Sequence, residues 1–360
     1  MKHQIIALCA LAACSAAAPA QNTQRLTATK ANEYALVYSL PNTALSVTLE
    51  AEVTTTKPGE FFKYAKRYLN LDNPITAEGH SARLLSATVG TRGIPNEDER
   101  YTVQFKSGAP TYILLSPEEI PLAVNTEETF RRSAAELPVS KDALPTPLET
   151  PAARQVVSQE MMQSQSTAKR AELAAQAIFA IRQTRSELVS GQAETMPPDG
   201  KSLQLMLDNL EAQEQALMAM FMGTTSTRTD VATYTLVPDK ELKNYVLARV
   251  SPLDGLVGAD DLSGAPVTLD ITVNSRGELP VNDKGEAIPF PKNGFAYRIP
   301  GEARVTVSYD GETFADDSEQ IAQFGVVYGL SPATIGDKKA PQYVILDPAT
   351  GAVTKPGAAR

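Results

Sequence analysis

The side chains that most often carry enzyme chemistry are scarce in this sequence. Its 360 residues hold two histidines, His3 and His80, and two cysteines, Cys9 and Cys14. A Ser-His-Asp triad would have to use His80. The other histidine, His3, lies with both cysteines in a segment typical of a targeting signal. A zinc site built from His and Cys needs three or four ligands, so none is predicted. There is no complete Gly-x-Gly-x-x-Gly, P-loop or EF-hand pattern, and we expect neither a metal nor a cofactor.

Adjacent acidic residues are a second arrangement that can do chemistry without a longer motif. Asp260-Asp261 and Asp316-Asp317 each place two carboxylates side by side, and such pairs can share a proton or bind a hard cation. Adjacent residues on a strand point to opposite faces, however, so neither pair converges by itself. We interpret both pairs as solvated loop residues and His80 as a surface-loop histidine. No catalytic, cofactor-binding or metal-binding residue is assigned.

Two helices are the clearest elements in the sequence. Apolar residues recur at helical spacing over Thr167–Val189 and again over Lys201–Met222. Gly191 can end the first helix, and the Pro197-Pro198 pair prevents its continuation. We therefore predict an antiparallel helical hairpin that packs through its apolar faces, including Leu210.

The predicted hairpin also carries an arginine and several methionines that could take part in binding. Arg182 of the first helix is expected to form a surface ion pair with Asp208 or Glu211 of the second, and not to bind a ligand. The second helix is rich in methionine, at Met206, Met218, Met220 and Met222. Met-rich surfaces can bind varied apolar partners, but we interpret these side chains as filling the core.

Most of the other predicted elements are strands. Residues Leu45 to Val53 alternate apolar and polar, which predicts a half-buried strand with its odd-numbered residues on one face. A short helix is predicted over Glu60–Asn70, packing through Phe61, Tyr64, Ala65 and Tyr68. Asp310-Gly311 is the best hairpin turn. Further strands are predicted at residues 82–89, 100–105, 111–115, 231–237, 245–250, 267–273, 295–299, 303–309, 321–328 and 343–346.

These elements predict an α+β protein in which two β-rich parts flank a central antiparallel helical hairpin. We expect each β-rich part to consist of antiparallel sheets or a sandwich. The predicted divisions are a signal peptide at 1–20, an N-terminal β-rich domain with one short helix at 21–125, a Pro-rich connection at 126–165, the helical hairpin at 166–223 and a C-terminal β-rich domain at 224–360. The connection is expected to be mobile, because prolines interrupt a polar stretch without a sustained period.

Residues 1–20 have the pattern of a secretory signal peptide. The apolar run Ile5 to Ala13 is too short to span a bilayer. Ala18-Pro19-Ala20 fits a cleavage site that leaves Gln21 as the first exported residue. Alternatively, Leu11-Ala12-Ala13-Cys14 matches a lipoprotein box with a lipid anchor at Cys14, and we favour simple cleavage because that signal would be unusually short. We expect an exported protein, periplasmic or associated with the outer membrane.

One internal echo links the two ends of the chain. Tyr38 to Ala44 (YSLPNTA) resembles Tyr297 to Ala303 (YRIPGEA), with Tyr, Pro and Ala in common. Each piece leads into an alternating strand. The echo is consistent with a duplicated strand–turn–strand element, and also with coincidence between common hairpin sequences.

Four segments carry a resemblance to a known family. They are Val37 to Pro41, Pro58 to Leu69, Tyr297 to Gly301 and Gln323 to Gly325. With the signal, the chain length and the central helices, they resemble an uncharacterised family of secreted Bacteroidota proteins, the domain of unknown function 4831. The resemblance spans most of the exported chain and is weakest over residues 126–165. It implies export and a full-length architecture, and it carries over no catalytic residue.

Composition narrows the function further. A net charge of −9 with 42% hydrophobic residues argues against a disordered chain and a basic nucleic-acid binder, so we expect no nucleic-acid partner and no transmembrane span. We expect a non-enzymatic cell-envelope protein that binds or assembles with an envelope protein or a glycan. The alternative is a carboxylate-dependent hydrolase acting on a glycan. Such an enzyme needs two acids about 5–10 Å apart across a cleft, a separation that sequence spacing does not reveal.

Overall fold

The computed structural model describes residues 35–104, 112–132, 136–292, 294–331 and 342–358, which are rich in antiparallel strand and include a few helices. The strands are β1 (Ala35–Lys57), β2 (Gly79–Gln104), β3 (Ile113–Leu115), β4 (Pro121–Val124), β5 (Thr224–Leu236), β6 (Leu242–Ser251), β7 (Gly255–Val257), β8 (Ala265–Ser275), β9 (Phe295–Tyr309), β10 (Glu312–Leu330), β11 (Gln342–Leu346) and β12 (Val353–Ala358). The α-helices are α1 (Ala65–Leu69), α2 (Pro151–Gln155), α3 (Gln159–Gln163), α4 (Thr167–Ser190) and α5 (Gly200–Met222), with 3-10 helices at Phe62–Tyr64 and Pro147–Glu149.

The strands of the described residues form three sheets. Their orders are β2-β1-β5, β10-β9-β8-β6-β7 and β12-β11-β4-β3. Strand β5 lies beyond the helices in sequence, yet it pairs with β1 from Leu45 to Lys57. Strand β11 likewise pairs with β4. The predicted division at residues 125 and 224 therefore does not separate the sheets, because two of them combine strands from both sides of the helices.

The main apolar core lies between the three-stranded and the five-stranded sheet. Leu45, Val47, Leu49, Ala51 and Val53 of β1 are all buried. This confirms the half-buried strand that the alternation of apolar and polar residues predicted. Across the core they meet apolar residues of β6, β8, β9 and β10. The hydrophobic effect of burying this surface is the main force that holds the two sheets together.

The strand pairs β1–β2 and β9–β10 share an unusual irregularity. In each, two tyrosines stand opposite one another, Tyr38 with Tyr101 and Tyr297 with Tyr328. Shortly afterwards residues 96–99 of β2 stand opposite Leu40 alone, and residues 322–325 of β10 stand opposite Pro300 alone. Such bulges bend a strand and re-aim its side chains. The two YxxP segments of the sequence echo therefore occupy corresponding places in two strand pairs.

A second apolar cluster joins the helices to one another. It contains Phe61, Ala65, Met161, Ile178 and Leu217, from the loop after β1 and from α1, α3, α4 and α5. Helix α4 ends at Gly191, whose φ of 73° is accessible to glycine at little cost, and the side chain of Asp199 caps the start of α5. The loop after β1 is joined to this cluster, because Phe61 N–H donates to Met220 O of α5 at 2.7 Å.

Two expectations about this region were wrong. Residues 147–163 of the Pro-rich connection are not irregular, because Pro147–Glu149, α2 and α3 form short helices that bury Ala153 and Met161 in the helical cluster. Leu210 is only half-buried, since the buried apolar face of α5 lies nearer its end, at Ala216, Leu217, Ala219 and Phe221.

Candidate functional site

His80 lies on strand β2, opposite Thr55 of β1, and not in the loop that we expected. Its Nδ1 is 3.4 Å from Thr55 Oγ1, and its Nε2 is 3.8 Å from Glu78 Oε1. A hydroxyl, an imidazole and a carboxylate thus stand in the order of a catalytic triad. Both distances exceed the approximately 2.6–3.2 Å that proton transfer uses, and the residue is exposed as expected. The group is a solvated surface cluster.

The two acidic pairs do not converge. Asp261 lies in the loop before β8, where it accepts a hydrogen bond from Ser263 N–H at 2.9 Å. Asp316 lies on strand β10, and not in a loop, and forms an ion pair with Arg304 of β9. Hydrogen bonds from these partners hold the pKa of each carboxyl below its usual value, because they stabilise the charged form. Both carboxylates are therefore ionised and already partnered.

Arg182 forms an ion pair across the two long helices, one turn away from the expected partners. It donates from Nε to Glu214 Oε1 at 2.6 Å, while Asp208 accepts from Gln204 on its own helix. Arg185 lies 3.6 Å from Glu211. Arg182, Arg185 and Glu211 are largely exposed and Glu214 is half-buried, so these pairs contribute modestly to stability.

The methionines of α5 divide between core and surface. Met218 and Met220 are half-buried and pack against the helical cluster, as the core-filling interpretation predicts. Met206 is exposed.

A buried arginine connects the two bulged strand pairs. Arg298 of β9 forms an ion pair with Glu99, in the bulge of β2, and donates to Ala322 O at 3.2 Å. Conversely Gln323, in the bulge of β10, exchanges two hydrogen bonds of 2.9 Å with the backbone of Thr43 in β1. Each bulge thus contacts the first strand of the other pair. A buried charge with several hydrogen bonds fixes geometry, and we name this group the Arg298 junction.

Beside the Arg298 junction, two carboxylates share one guanidinium. Arg132 lies 3.0 Å from Asp347 Oδ2 and 3.7 Å from Glu319 Oε2. Asp347 is buried and also accepts a hydrogen bond from Ala349 N–H at 2.8 Å. Burial raises the pKa of Glu319 above its usual value, and the attraction of Arg132 opposes that rise. This is the described cluster that most resembles an acid–base pair.

An open groove of about 420 Å³ lies on the five-stranded sheet. Its charged lining includes Glu241, Lys243, Asp270 and Arg304. Glu241 accepts from Val273 N–H and Asp270 from Asn244 N–H, and Arg304 pairs with Asp316. Most of these charges therefore stabilise the sheet itself.

One exposed apolar surface is a small hairpin between β8 and β9, residues 279–290, which we name the apolar hairpin. Val281 and Ala287 form an isolated bridge, and Ile288 N–H donates to Pro280 O at 2.7 Å. Asn282 Oδ1 accepts from the backbone of the turn. The large apolar side chains that it exposes are Leu279, Val281, Ile288 and Phe290.

Phe290 anchors the apolar hairpin to the five-stranded sheet. Its ring stands edge-on to Tyr328 with centroids 6.3 Å apart, and Tyr328 contacts Tyr297 in the same way. The ring also lies against Gly329, where a Cβ would meet Phe290 Cζ at 2.8 Å. Exposed apolar side chains on an ordered element are typical of a binding surface.

A family model matches residues 34–354 of the chain, and its description is Domain of unknown function (DUF4831). The chain belongs to this family. No curated protein and no solved structure matches it significantly. The DUF4831 match covers nearly all of the described residues, including the Arg298 junction and the apolar hairpin.

Two further properties of this DUF4831 chain concern metals and membranes. Within the described ranges, three or more His, Cys, Asp or Glu side chains nowhere gather closely enough to hold a metal ion. Among the helices of those same ranges, none combines the length and the apolar character needed to cross a bilayer.

Sequence reasoning missed both the Arg298 junction and the apolar hairpin. Arg298 and Glu99 are 199 residues apart, and no local pattern marks such a pair. For the apolar hairpin a signal was present. Pro280, Pro289 and Pro291 flank the turn residues Asn282 to Gly285, with Val281 before the turn and Ile288 after it.

Proposed function

We propose that this protein is a non-enzymatic binding or assembly component of the cell envelope, exported through its N-terminal signal. The observation that carries the proposal is the apolar hairpin, which holds Val281 and Ile288 in solvent on a backbone fixed by Phe290. An ordered apolar surface lowers the entropic cost of binding, because its side chains are already positioned. The partner it suits is an envelope protein with an apolar pocket or groove.

The central helices support the same role. We infer that α4 and α5 form an antiparallel hairpin, since Arg182 pairs with Glu214 while Arg185 pairs with Glu211 and Glu214. As residue numbers rise on α4, the partners on α5 fall. This pairing gives the protein a second element away from the sheets on which an assembly can be built.

Pulldown from solubilised envelope tests the binding role. We expect the double variant Val281→Asp/Ile288→Asp to lose the proteins that the unmodified chain retains, because charges prevent burial of the hairpin in a partner. Val189→Asp is the matched control, since Val189 is 70% exposed on α4 against 60% for Val281. If both variants retain the same proteins as the unmodified chain, the apolar hairpin is not the binding surface.

A second candidate function is a carboxylate-dependent hydrolase acting on a glycan. It is favoured by Glu319, whose raised pKa suits a general acid, beside Asp347, which forms an ion pair with Arg132. Screening the purified protein against glycan libraries distinguishes the two functions. Turnover that Glu319→Gln and Asp347→Asn both abolish, in variants that still fold, would overturn the non-enzymatic assignment. Saturable binding without turnover supports it.

A further inference from the structure

The outer edge of strand β5 is covered over a short length by one extended segment of the chain. Residues 136–146, which we name the strap, cross this edge between residue 136 and the 3-10 helix at Pro147–Glu149. Lys141 and Thr229 exchange two backbone hydrogen bonds of 2.8 Å. Ser140 Oγ accepts a third, from Val231 N–H at 2.9 Å. The strap thus forms a single antiparallel bridge to the sheet.

The position of the bridge shows which backbone groups of β5 point outward. Thr229 bonds the strap, so its N–H and C=O face away from β1. In an antiparallel pair this direction alternates with a period of two, and residues 225, 227, 231, 233 and 235 face outward as well. Within the described residues, no backbone hydrogen bond to the outward groups of 225, 227, 233 or 235 is found.

Burial agrees with this geometry. Thr229 and Val231, beneath the strap, are half-buried, whereas Thr225, Thr227, Thr233 and Thr235 are exposed. Natural sheet edges are commonly protected by charged side chains or by proline. The positions of β5 whose backbone groups face outward carry five threonines and one valine. The charged residues of β5, Arg228 and Asp230, alternate with these positions and pair with each other. The strap is the segment of the chain that covers part of this edge.

The strap itself is held weakly. Its large apolar side chains Leu137, Val139 and Leu144 are exposed, so it buries little apolar surface against the sheet. Because each of these hydrogen bonds replaces one that the same groups would make with water, the three contribute only modestly to stability. A competing strand that pairs along all of β5 would make more hydrogen bonds than the strap makes.

We propose that the edge of β5 is an acceptor site for an extended strand of a partner protein, and that the strap occupies this site until the partner displaces it. The inference rests on the proposed binding role and names a second surface for it. The partner segment runs antiparallel to β5, as the strap does, and carries uncharged or β-branched residues that suit a sheet edge. The strap is then an autoinhibitory competitor, present at high effective concentration because it is tethered.

A synthetic peptide of residues 136–146 is the probe, added in trans to the full chain. Lys141→Pro removes the N–H that donates to Thr229 and releases the strap, whereas the control Lys141→Ala keeps that N–H. A Lys141→Cys/Thr229→Cys disulfide locks the strap, with Cys9 and Cys14 replaced by Ser in every variant. We expect K141P to bind the labelled peptide at least about tenfold more tightly than the unmodified chain and K141A, and the locked variant not to bind.

Several outcomes would overturn the inference. One is an absence of peptide binding by K141P when its melting temperature stays close to that of the unmodified chain. Another is equal binding by the locked variant, which would place the peptide elsewhere. Dimerisation of K141P in place of peptide binding would assign the edge to a second copy of this chain. If the edge fails these tests while the apolar hairpin still determines the pulldown, the proposed binding role stands without it.

Discussion

At the scale of single residues, Arg298 shows how a charge can be buried in this protein at a tolerable cost. Its guanidinium reaches Glu99, Asn42 and the carbonyl of Ala322, so most of its donors are satisfied. Only Nε is buried without a hydrogen-bond partner among the described residues. Removing one member of a buried pair is costly because the remaining charge loses its partner.

We therefore expect Arg298→Ala to lower the free energy of unfolding by about 3 kcal/mol, at the low end for a buried pair because Glu99 is partly exposed. Urea unfolding followed by circular dichroism measures this loss. Arg304→Ala, on the same strand, is the control, since its pair with Asp316 is exposed and should matter little. Equal and small losses in both variants would show that the Arg298 junction does not stabilise the fold.

Glu319 gives a prediction with a defined pH direction. Burial raises its pKa above the ordinary 4.5, so the folded state holds a proton that the unfolded state has already released. The stability contributed by Glu319 is therefore complete below pH 4.5 and is lost as the pH rises through the folded-state pKa. Glu319→Gln should remove this loss, and the variant should gain stability relative to the unmodified chain as the pH rises from 4 to 7.

Urea unfolding at several pH values between 4 and 7 makes the comparison, with Glu312→Gln as the control for removing an exposed carboxylate of the same strand. A variant that instead loses stability at pH 7 would show that the ion pair with Arg132 outweighs the cost of burying Glu319.

At the scale of elements, helix bounds and tight turns were predicted well, because they depend on residues that are close together in the sequence. Helices α4 and α5 begin and end within one residue of the predicted bounds, because a helix repeats its contacts every few residues and caps are local. Asp310 and Gly311, with φ of 50° and 81°, form the turn that their sequence predicts.

Strands that bend were predicted less well. Strand β9 was predicted as two pieces, because Pro300 and Gly301 are typical of a break between strands. The strand continues through them because residues 322–325 of β10 bulge opposite Pro300. At this point the ladder needs no hydrogen bond from Pro300, which has no N–H to donate. The Arg298 junction depends on two such bulges coming together, which no single segment encodes.

The helical cluster supplies the prediction at this scale. Leu217 of α5 is fully buried in it, whereas Leu205 of the same helix is 71% exposed. Leu217→Ala should lower the free energy of unfolding by about 2–5 kcal/mol, through lost burial and the cavity that remains. Leu205→Ala should change it by less than about 0.5 kcal/mol. A similar effect of both substitutions, measured by urea unfolding, would contradict the packing of α5.

At the scale of the whole molecule, the strand pairs β1–β2 and β9–β10 are two similar units. Each has a cross-strand tyrosine pair followed by a bulge of four residues opposite one. Each bulge also contacts the other unit, through Glu99 with Arg298 and through Gln323 with Thr43. The bulges lie one residue apart relative to the motif, opposite Leu40 in YSLP and opposite Pro300 in YRIP, so the similarity is consistent both with duplication and with coincidence.

The N-terminus of the native protein is a separate prediction at this scale. We expect export with cleavage after Ala20, so that Gln21 is the first residue, because Ala18-Pro19-Ala20 fits the small-x-small pattern. Intact mass of the protein purified from its own envelope tests this expectation. A mass that includes a diacylglyceryl group on Cys14 would establish the lipoprotein alternative and a membrane anchor.

Two of the sheets combine strands from both sides of the helices, and this predicts that the C-terminal strands do not fold alone. A fragment of residues 224–358 lacks β1, against which β5 pairs and against which Leu269, Val305 and other core residues pack. Its apolar face would stand open to water, and a sheet with one face unburied loses most of the hydrophobic stabilisation of the core. We expect this fragment to show no cooperative thermal unfolding by calorimetry, whereas residues 21–360 unfold in a cooperative transition.

Mixing the fragment with residues 21–223 should restore the transition, because β1 then becomes available to β5. A fragment that unfolds cooperatively by itself would show that the C-terminal strands form an independent domain, as the division at residue 224 supposes.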